Sequence, residues 1–245
     1  MAQDYSNYTS EDHKVWNLLF SKQIKLISNL ASKAYLEGVK KCKFEADRVP
    51  NFETINSQLT LATGWKIYVV PGLIDNKPFF QLLSDKQFPA TTWLRTMDEL
   101  EYLEEPDMFH DVFGHVPLLS DSYFCKFLEG LSKLSLQYIE NEIAVEYLAR
   151  LYWYTVEFGL IKEENQLKIY GAGILSSSEE SVYSVSDKPI HKIFDIDEIL
   201  ETPYIKDKLQ AQYFVIDSYK QLYNSLNNIE LLLLQKLNGE KGVAA

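Results

Sequence analysis

The sequence predicts a single, mainly α (α+β) domain: a compact helical unit with a few short β-strands. Three observations point there. Apolar residues recur at helical spacing from Trp16 to Leu30, from Leu131 to Leu160, and again in the tail after Tyr213. Only two segments, residues 66–70 and 168–170, read as strand. No repeat or linker divides the 245 residues, and a chain of that length hides roughly 70–75% of its unfolded surface, enough for one large core.

The elements follow in order. Thr9-Ser10-Glu11-Asp12 supplies a helix-start signal, and Trp16, Leu19, Phe20, Ile24, Ile27 and Leu30 continue it, predicting a first helix that runs on towards Gly38. Pro50-Asn51-Phe52 opens a short second helix that ends before Thr63-Gly64-Trp65. Lys66 to Val70, rich in β-branched and aromatic residues, predicts a strand stopped by Pro71-Gly72. Pro71, Pro78, Pro89 and Pro106 then break the chain into short helices joined by turns. Leu131 to Leu160 predicts one long helix, apolar nearly all round and therefore buried. Lys168-Ile169-Tyr170 predicts a short strand ended by Gly171-Ala172-Gly173, and Ser176 to Ser186 a polar loop. The tail from Tyr213 predicts helix through Leu231-Leu232-Leu233-Leu234, with Gly239 as its stop.

Charge narrows the function classes. Lys and Arg number 24 against 35 Asp and Glu, a net charge of −11. Such a surface repels nucleic acid and anionic lipid, and the densest basic run, Lys40-Lys41-Cys42-Lys43, is short and isolated. Cys42 and Cys125 lie far apart and read as reduced thiols. Met1 to Glu11 lacks the basic-then-apolar order of a signal peptide, and no apolar stretch approaches the ~20 residues needed to span a bilayer. A cytoplasmic protein is expected, with neither nucleic acid nor membrane as partner.

The stretch from Glu105 to Pro117, Glu-Pro-Asp-Met-Phe-His-Asp-Val-Phe-Gly-His-Val-Pro, is the most informative. Pro106 suits a first helical turn, Asp107 favours the helix dipole there, and His110 follows one turn later. His115 is five residues on, ~140° away around a regular helix. For both imidazoles to meet one metal, the chain must break near Gly114. Two unrelated histidines on an aromatic-rich helix remain the alternative. Asp107, three residues before His110, shares its helix face and is placed either to orient a metal-bound imidazole or to serve as an ordinary N-terminal helix acid. Glu157 lies in an apolar helix, where a bare carboxylate costs several kcal/mol to bury. Either a metal neutralises it, or it pairs with Arg150 or a lysine. Two histidines and one carboxylate leave open positions on an octahedral ion, the arrangement of non-haem Fe(II) oxygenases. The same spacing also allows a zinc hydrolase. Arg95, among Trp93 and Leu94, is placed either to clamp a carboxylate ligand or to pair with Asp98, Glu99 or Glu101. Phe79 and Phe80 offer a stacking face or core packing.

Taken together, these segments resemble the aromatic amino acid hydroxylases, above all their short bacterial members that act on phenylalanine. The match rests on Glu105-Pro106-Asp107-x-x-His110-Asp111-x-x-Gly114-His115-Val116-Pro117-Leu118 and on Tyr152-Trp153-x-Thr155-Val156-Glu157-Phe158-Gly159-Leu160. Tyr170-Gly171-Ala172-Gly173-Ile174-Leu175-Ser176-Ser177 follows, with Thr63-Gly64-Trp65 and Val70-Pro71-Gly72-Leu73-Ile74 upstream. The resemblance spans nearly the whole chain. It implies Fe(II) on His110, His115 and Glu157, and a tetrahydropterin beside Gly72, Leu73, Phe79, Asp111, Ala149 and Tyr152. It implies an aromatic amino acid on Arg95, Pro106, Trp153 and Ser176, with Asp107 behind the first ligand and O2 as co-substrate. The implied reaction converts L-phenylalanine to L-tyrosine, with tryptophan or tyrosine hydroxylation as alternatives. Asp111 stands where animal members carry Glu, and Leu103 where they carry Thr. The chain lacks their regulatory domain and tetramerisation helix, so residues 1–245 are expected to form one catalytic domain and a monomer.

Overall fold

The computed structural model describes residues 2–100 and 105–243, the last four of these in backbone alone. Leu103 and Glu101 lie outside the described residues.

Helix α1 (Ser10–Ile27) begins as expected: the Thr9 hydroxyl accepts the Asp12 N–H at 3.2 Å, and the Asp12 carboxylate accepts the Thr9 N–H at 2.7 Å. It stops at Ile27 instead of running to Gly38. The backbone of Leu30 and Ser32 is taken by hydrogen bonds to Ile169, both 2.8 Å, and Ser32 then caps α2 (Lys33–Lys41). Asn51 caps α3 (Phe52–Ala62), and β1 (Lys66–Val69) follows where predicted.

Between Pro71 and Pro106 come α4 (Asn76–Ser84) and a strand, β2 (Gln87–Ala90), that pairs in parallel with β1. Pro89 sits inside β2; with β1 on one side only, the missing N–H disrupts no second ladder. A π-helical segment (Phe109–His115) runs straight into a 3₁₀ turn (Val116–Ser120). The expected long helix at 131–160 is two: α5 (Ser122–Gln137) and α6 (Glu142–Tyr152), parted where Asn141 caps α6 by accepting the Ala144 N–H. A second π segment (Trp153–Glu157) ends it.

Strands β3 (Leu160–Glu163) and β4 (Gln166–Ile169) form a hairpin whose two turn residues, Glu164 and Asn165, both have positive φ, the geometry that matches strand twist. Short helices α7 (Ala172–Leu175) and α8 (Ser178–Tyr183) follow, so the expected loop at 176–186 is partly helical. Then come β5 (Ile190–Ile193), α9 (Ile196–Glu201), β6 (Gln212–Ile216), α10 (Tyr219–Asn224) and α11 (Leu226–Val243). The tail thus opens with a strand, and α11 passes through Gly239, where a side chain would meet open space. The sheet order is β4-β3-β6-β5.

Nearly all the buried hydrophobic side chains among the described residues form one cluster, with Trp16, Trp65, Tyr35 and Phe113 fully covered. Each large side chain so buried contributes roughly 1.5–3 kcal/mol before conformational entropy offsets it. Phe109 and Phe113 stack at 4.7 Å and meet Trp16 and Phe20 of α1, fixing the first π segment to the core.

Candidate metal centre and its surroundings

Two imidazoles and one carboxylate converge where the two π segments meet. His115 Nε2 lies 3.3 Å from His110 Nε2 and 3.2 Å from Glu157 Oε1, and His110 Nε2 lies 3.8 Å from Glu157 Oε2. Among the described residues these form the one group of three such donors close enough to share an ion. Two ligand atoms at about 2.1 Å from a metal and at right angles are about 3.0 Å apart, so the donors are spaced for one cation.

The expected chain break at Gly114 is absent; the wide turn achieves the convergence instead. A π-helix advances roughly 80–85° per residue, so residues five apart end about 50° apart rather than ~140°. All three donors occupy π segments: His110 and His115 the first, Glu157 the end of the second. Gly114 serves a different purpose, since a Cβ there would lie 2.9 Å from the Ala172 carbonyl. Its absence lets α7 seat against the π segment. Gly171 does the same on the other side, where a Cβ would lie 2.4 Å from the Glu157 carbonyl.

Seating α7 brings Ser176 to the first imidazole. Ser176 Oγ donates to the Ala172 carbonyl at 2.8 Å, which leaves it to accept from His110 Nδ1 at 2.9 Å. The proton is then on Nδ1, and Nε2 offers its lone pair. Burial holds the His110 imidazole down at about 4, so it is neutral. Burial pushes the Glu157 carboxyl up, but the charge and hydrogen bond of His115, with His110 and the Gly173 N–H, outweigh it and leave the carboxyl below its ordinary range. Neutral imidazole and ionised carboxylate are the forms a metal binds. The donor set therefore fits a divalent ion. Among the described residues Glu157 pairs with neither Arg150 nor a lysine: its ion-pair partners are His110 and His115, and Arg150 reaches Glu146 and the Leu200 carbonyl.

Asp107 takes the helix-acid role of its two expected ones, and Arg95 finds a carboxylate outside the expected three. Pro106 and Asp107 precede the helical turn rather than opening it. Asp107 Oδ1 accepts the backbone N–H of His110 at 3.2 Å, not its ring. The Asp107 carboxylate also takes Arg95 in a fork, Nε to Oδ2 and Nη2 to Oδ1, both 2.9 Å. Arg95 thus pairs with Asp107 and, among the described residues, with neither Asp98 nor Glu99. A bidentate pair this buried fixes the guanidinium plane.

Phe79 of α4 is half-buried and meets Tyr152 edge-on at 5.6 Å, while Phe80 packs in the core. Ala149 and Tyr152 lie near one another on α6; Gly72 and the exposed Leu73 lie in the β1–α4 loop. Asp111 accepts the Thr91 N–H and hydroxyl at 2.8 and 3.0 Å, and burial pushes its carboxyl up to about 7. Trp153 stacks against Phe158 and Tyr204. Three participants have no local signal in the sequence: Thr91 behind Asp111, the Gly173 N–H on Glu157, and Phe88, whose ring lies 4.8 Å from His115.

A helical core around two histidines and one carboxylate is the architecture of a mononuclear metal enzyme with open coordination positions. The family model for biopterin-dependent aromatic amino acid hydroxylases matches residues 4–238. The chain belongs to that family and is an aromatic amino acid hydroxylase. Phenylalanine-4-hydroxylase of Chromobacterium violaceum is 46% identical over 226 residues, covering 92% of this chain and 76% of the relative. That of Pseudomonas aeruginosa is 44% identical over 219 residues, covering 89% and 83%. A crystal structure of the Chromobacterium violaceum enzyme with bound iron(III) and 7,8-dihydrobiopterin superposes with a TM-score of 0.91 at 46% identity, covering 97% of this chain and 86% of that one. Among the described residues no helix is long and apolar enough to cross a membrane.

Proposed function

We propose that this enzyme hydroxylates L-phenylalanine to L-tyrosine with O2 and a tetrahydropterin, one iron ion being held by His110, His115 and Glu157. The convergence of two imidazoles and one carboxylate on two π segments carries the reading. The relatives' activity on phenylalanine and the bound iron and biopterin of the Chromobacterium violaceum structure support it.

When bound, iron and the reduced pterin together supply the electrons and the oxygen activation that ring hydroxylation needs. The chain's own groups position and shield. Ser176 keeps the His110 proton on Nδ1, away from the metal side. Arg95, its plane locked by Asp107, presents its remaining N–H groups to the amino acid carboxylate. Pro106, Trp153 and Ser176 line the amino acid's site. Phe79 stacks on the pterin ring, with Tyr152 bracing it edge-on and Gly72, Leu73, Ala149 and Asp111 around it. Holding the reactants in one orientation removes much of their entropic barrier. The same proposal takes residues 1–245 as one catalytic domain, monomeric and cytoplasmic. Its support is the single core cluster and the two free, buried cysteines.

The test loads the protein anaerobically with Fe(II), then offers phenylalanine, tyrosine and tryptophan in parallel with tetrahydropterin and air. Tyrosine should form from phenylalanine fastest, and replacing iron with zinc should abolish turnover. Absence of any amino-acid-dependent product would end the proposal.

A further inference from the structure

Gln210 is buried, lies far from the three donor residues in sequence, and has every polar atom of its side chain engaged. Its Oε1 accepts the Trp153 indole N–H at 3.0 Å, and its Nε2 donates to the Ile205 and Lys208 carbonyls at 2.8 and 3.0 Å. Its own backbone N–H donates to the buried Glu180 carboxylate at 3.2 Å, and the Tyr213 hydroxyl donates to that same carboxylate oxygen. One residue therefore ties three things together: its side-chain amide holds the indole edge and the loop before β6, and its backbone N–H holds the α8 carboxylate. That loop includes Tyr204, whose ring stacks on Trp153 at 4.5 Å and 19°. Trp153 also stacks at 4.6 Å on Phe158, the residue after Glu157. Phe158 in turn packs on Gly173, whose N–H holds the Glu157 carboxylate.

An indole stacked on two rings can still slide or rotate in its own plane. A directional hydrogen bond at its N–H removes that freedom. We propose that Gln210 is a positioning residue that sets the orientation of Trp153 and, through it, how well the enzyme discriminates phenylalanine from the larger ring of tryptophan. The inference rests on the proposed reading of Trp153 as lining the amino acid's site. Glu180 and Tyr213 fix Gln210 from behind; they do not reach the indole.

The experiment compares Gln210→Leu, Trp153→Phe and the double variant for kcat/KM with phenylalanine and with tryptophan. Gln210→Leu should lower the phenylalanine-to-tryptophan selectivity by about fivefold, as expected for the loss of one neutral hydrogen bond. Pterin KM and iron content of Gln210→Leu should stay within about twofold of wild type, since Gln210 bonds to none of the donor or pterin-side residues. In the Trp153→Phe background the same change should have no further effect on selectivity. An equal effect in both backgrounds, or none in either, overturns the proposal and leaves Gln210 as a loop staple. Should Gln210→Leu fail to fold, indole N–H resonances of the zinc-loaded wild-type protein decide. Trp153 should resist solvent exchange and shift when phenylalanine is added; a freely exchanging, unresponsive signal overturns the proposal. A wild-type protein that hydroxylates no aromatic amino acid instead sinks the functional reading, while the resonance still reports the hydrogen bond.

Discussion

Ser176 shows how one hydroxyl can prepare a metal ligand. Because it donates to Ala172, it has only its lone pairs to offer His110, and that choice fixes the imidazole tautomer. Ser176→Ala should lower iron affinity by roughly 10–100-fold with the fold intact, the usual consequence of losing a partner behind a ligand; metal titration followed by circular dichroism checks both halves. Arg95 allows a second prediction. Arg95→Lys keeps a positive charge against the buried Asp107 but loses the planar fork. KM for the amino acid should rise by roughly tenfold or more, as for a lost charge-assisted bond, with KM for the pterin little changed; equal rises in both would remove Arg95 from the substrate site. The donor residues were legible in the sequence because their types are rare and their setting costly: two of four histidines within six positions, and a carboxylate in an apolar helix. What joins them was not legible. Ser176, Thr91 and Gln210 act across gaps of 66, 20 and 57 residues, and no local pattern marks such contacts.

At the scale of elements, the π segments are the device that matters. Periodicity reading assumes 3.6 residues per turn, and on that assumption two histidines five apart must part company. The chain instead widens its turn, and Tyr35 steadies it by donating to the Phe113 carbonyl at 2.6 Å. Gly114→Ala tests how tightly this turn must pack. The new methyl meets the backbone of Ala172, which cannot simply rotate away. It should cost about 1–3 kcal/mol by overpacking and lower iron affinity with it, because α7 and Ser176 move together; thermal melts with and without metal separate the two effects. Helix starts were read at Thr9 and Asn51, where a side chain caps them, but not at Ser32, which caps α2. Other signals lay in plain view: Asn141 before Glu142 marks α6, and Ser177 three residues before Glu180 marks α8. The strands β3, β5 and β6 were hidden for a better reason. Each has only four or five residues, and their pairing partners lie up to about fifty residues away, so tertiary contacts rather than local preference decide them.

At the scale of the molecule, the metal site is a keystone between two halves of the chain. The first π segment packs on α1 and α2, the second leads into the four-stranded sheet, and the three donors meet between them. A cation between the three donors would tie those two halves together. Saturating iron at about 100 times its dissociation constant should stabilise the fold by about 2.7 kcal/mol. For a chain of this size that is on the order of 5–10 °C in Tm, reversed by a chelator. Glu157→Gln should lose most of that increment, and a Tm indifferent to metal in the wild type would argue that no ion is bound. The most direct measurement is anomalous diffraction at the iron edge from crystals of the iron-loaded protein. One peak should stand about 2.0–2.2 Å from His110 Nε2, His115 Nε2 and a Glu157 carboxylate oxygen; a peak elsewhere, or none between these three side chains, would contradict the account.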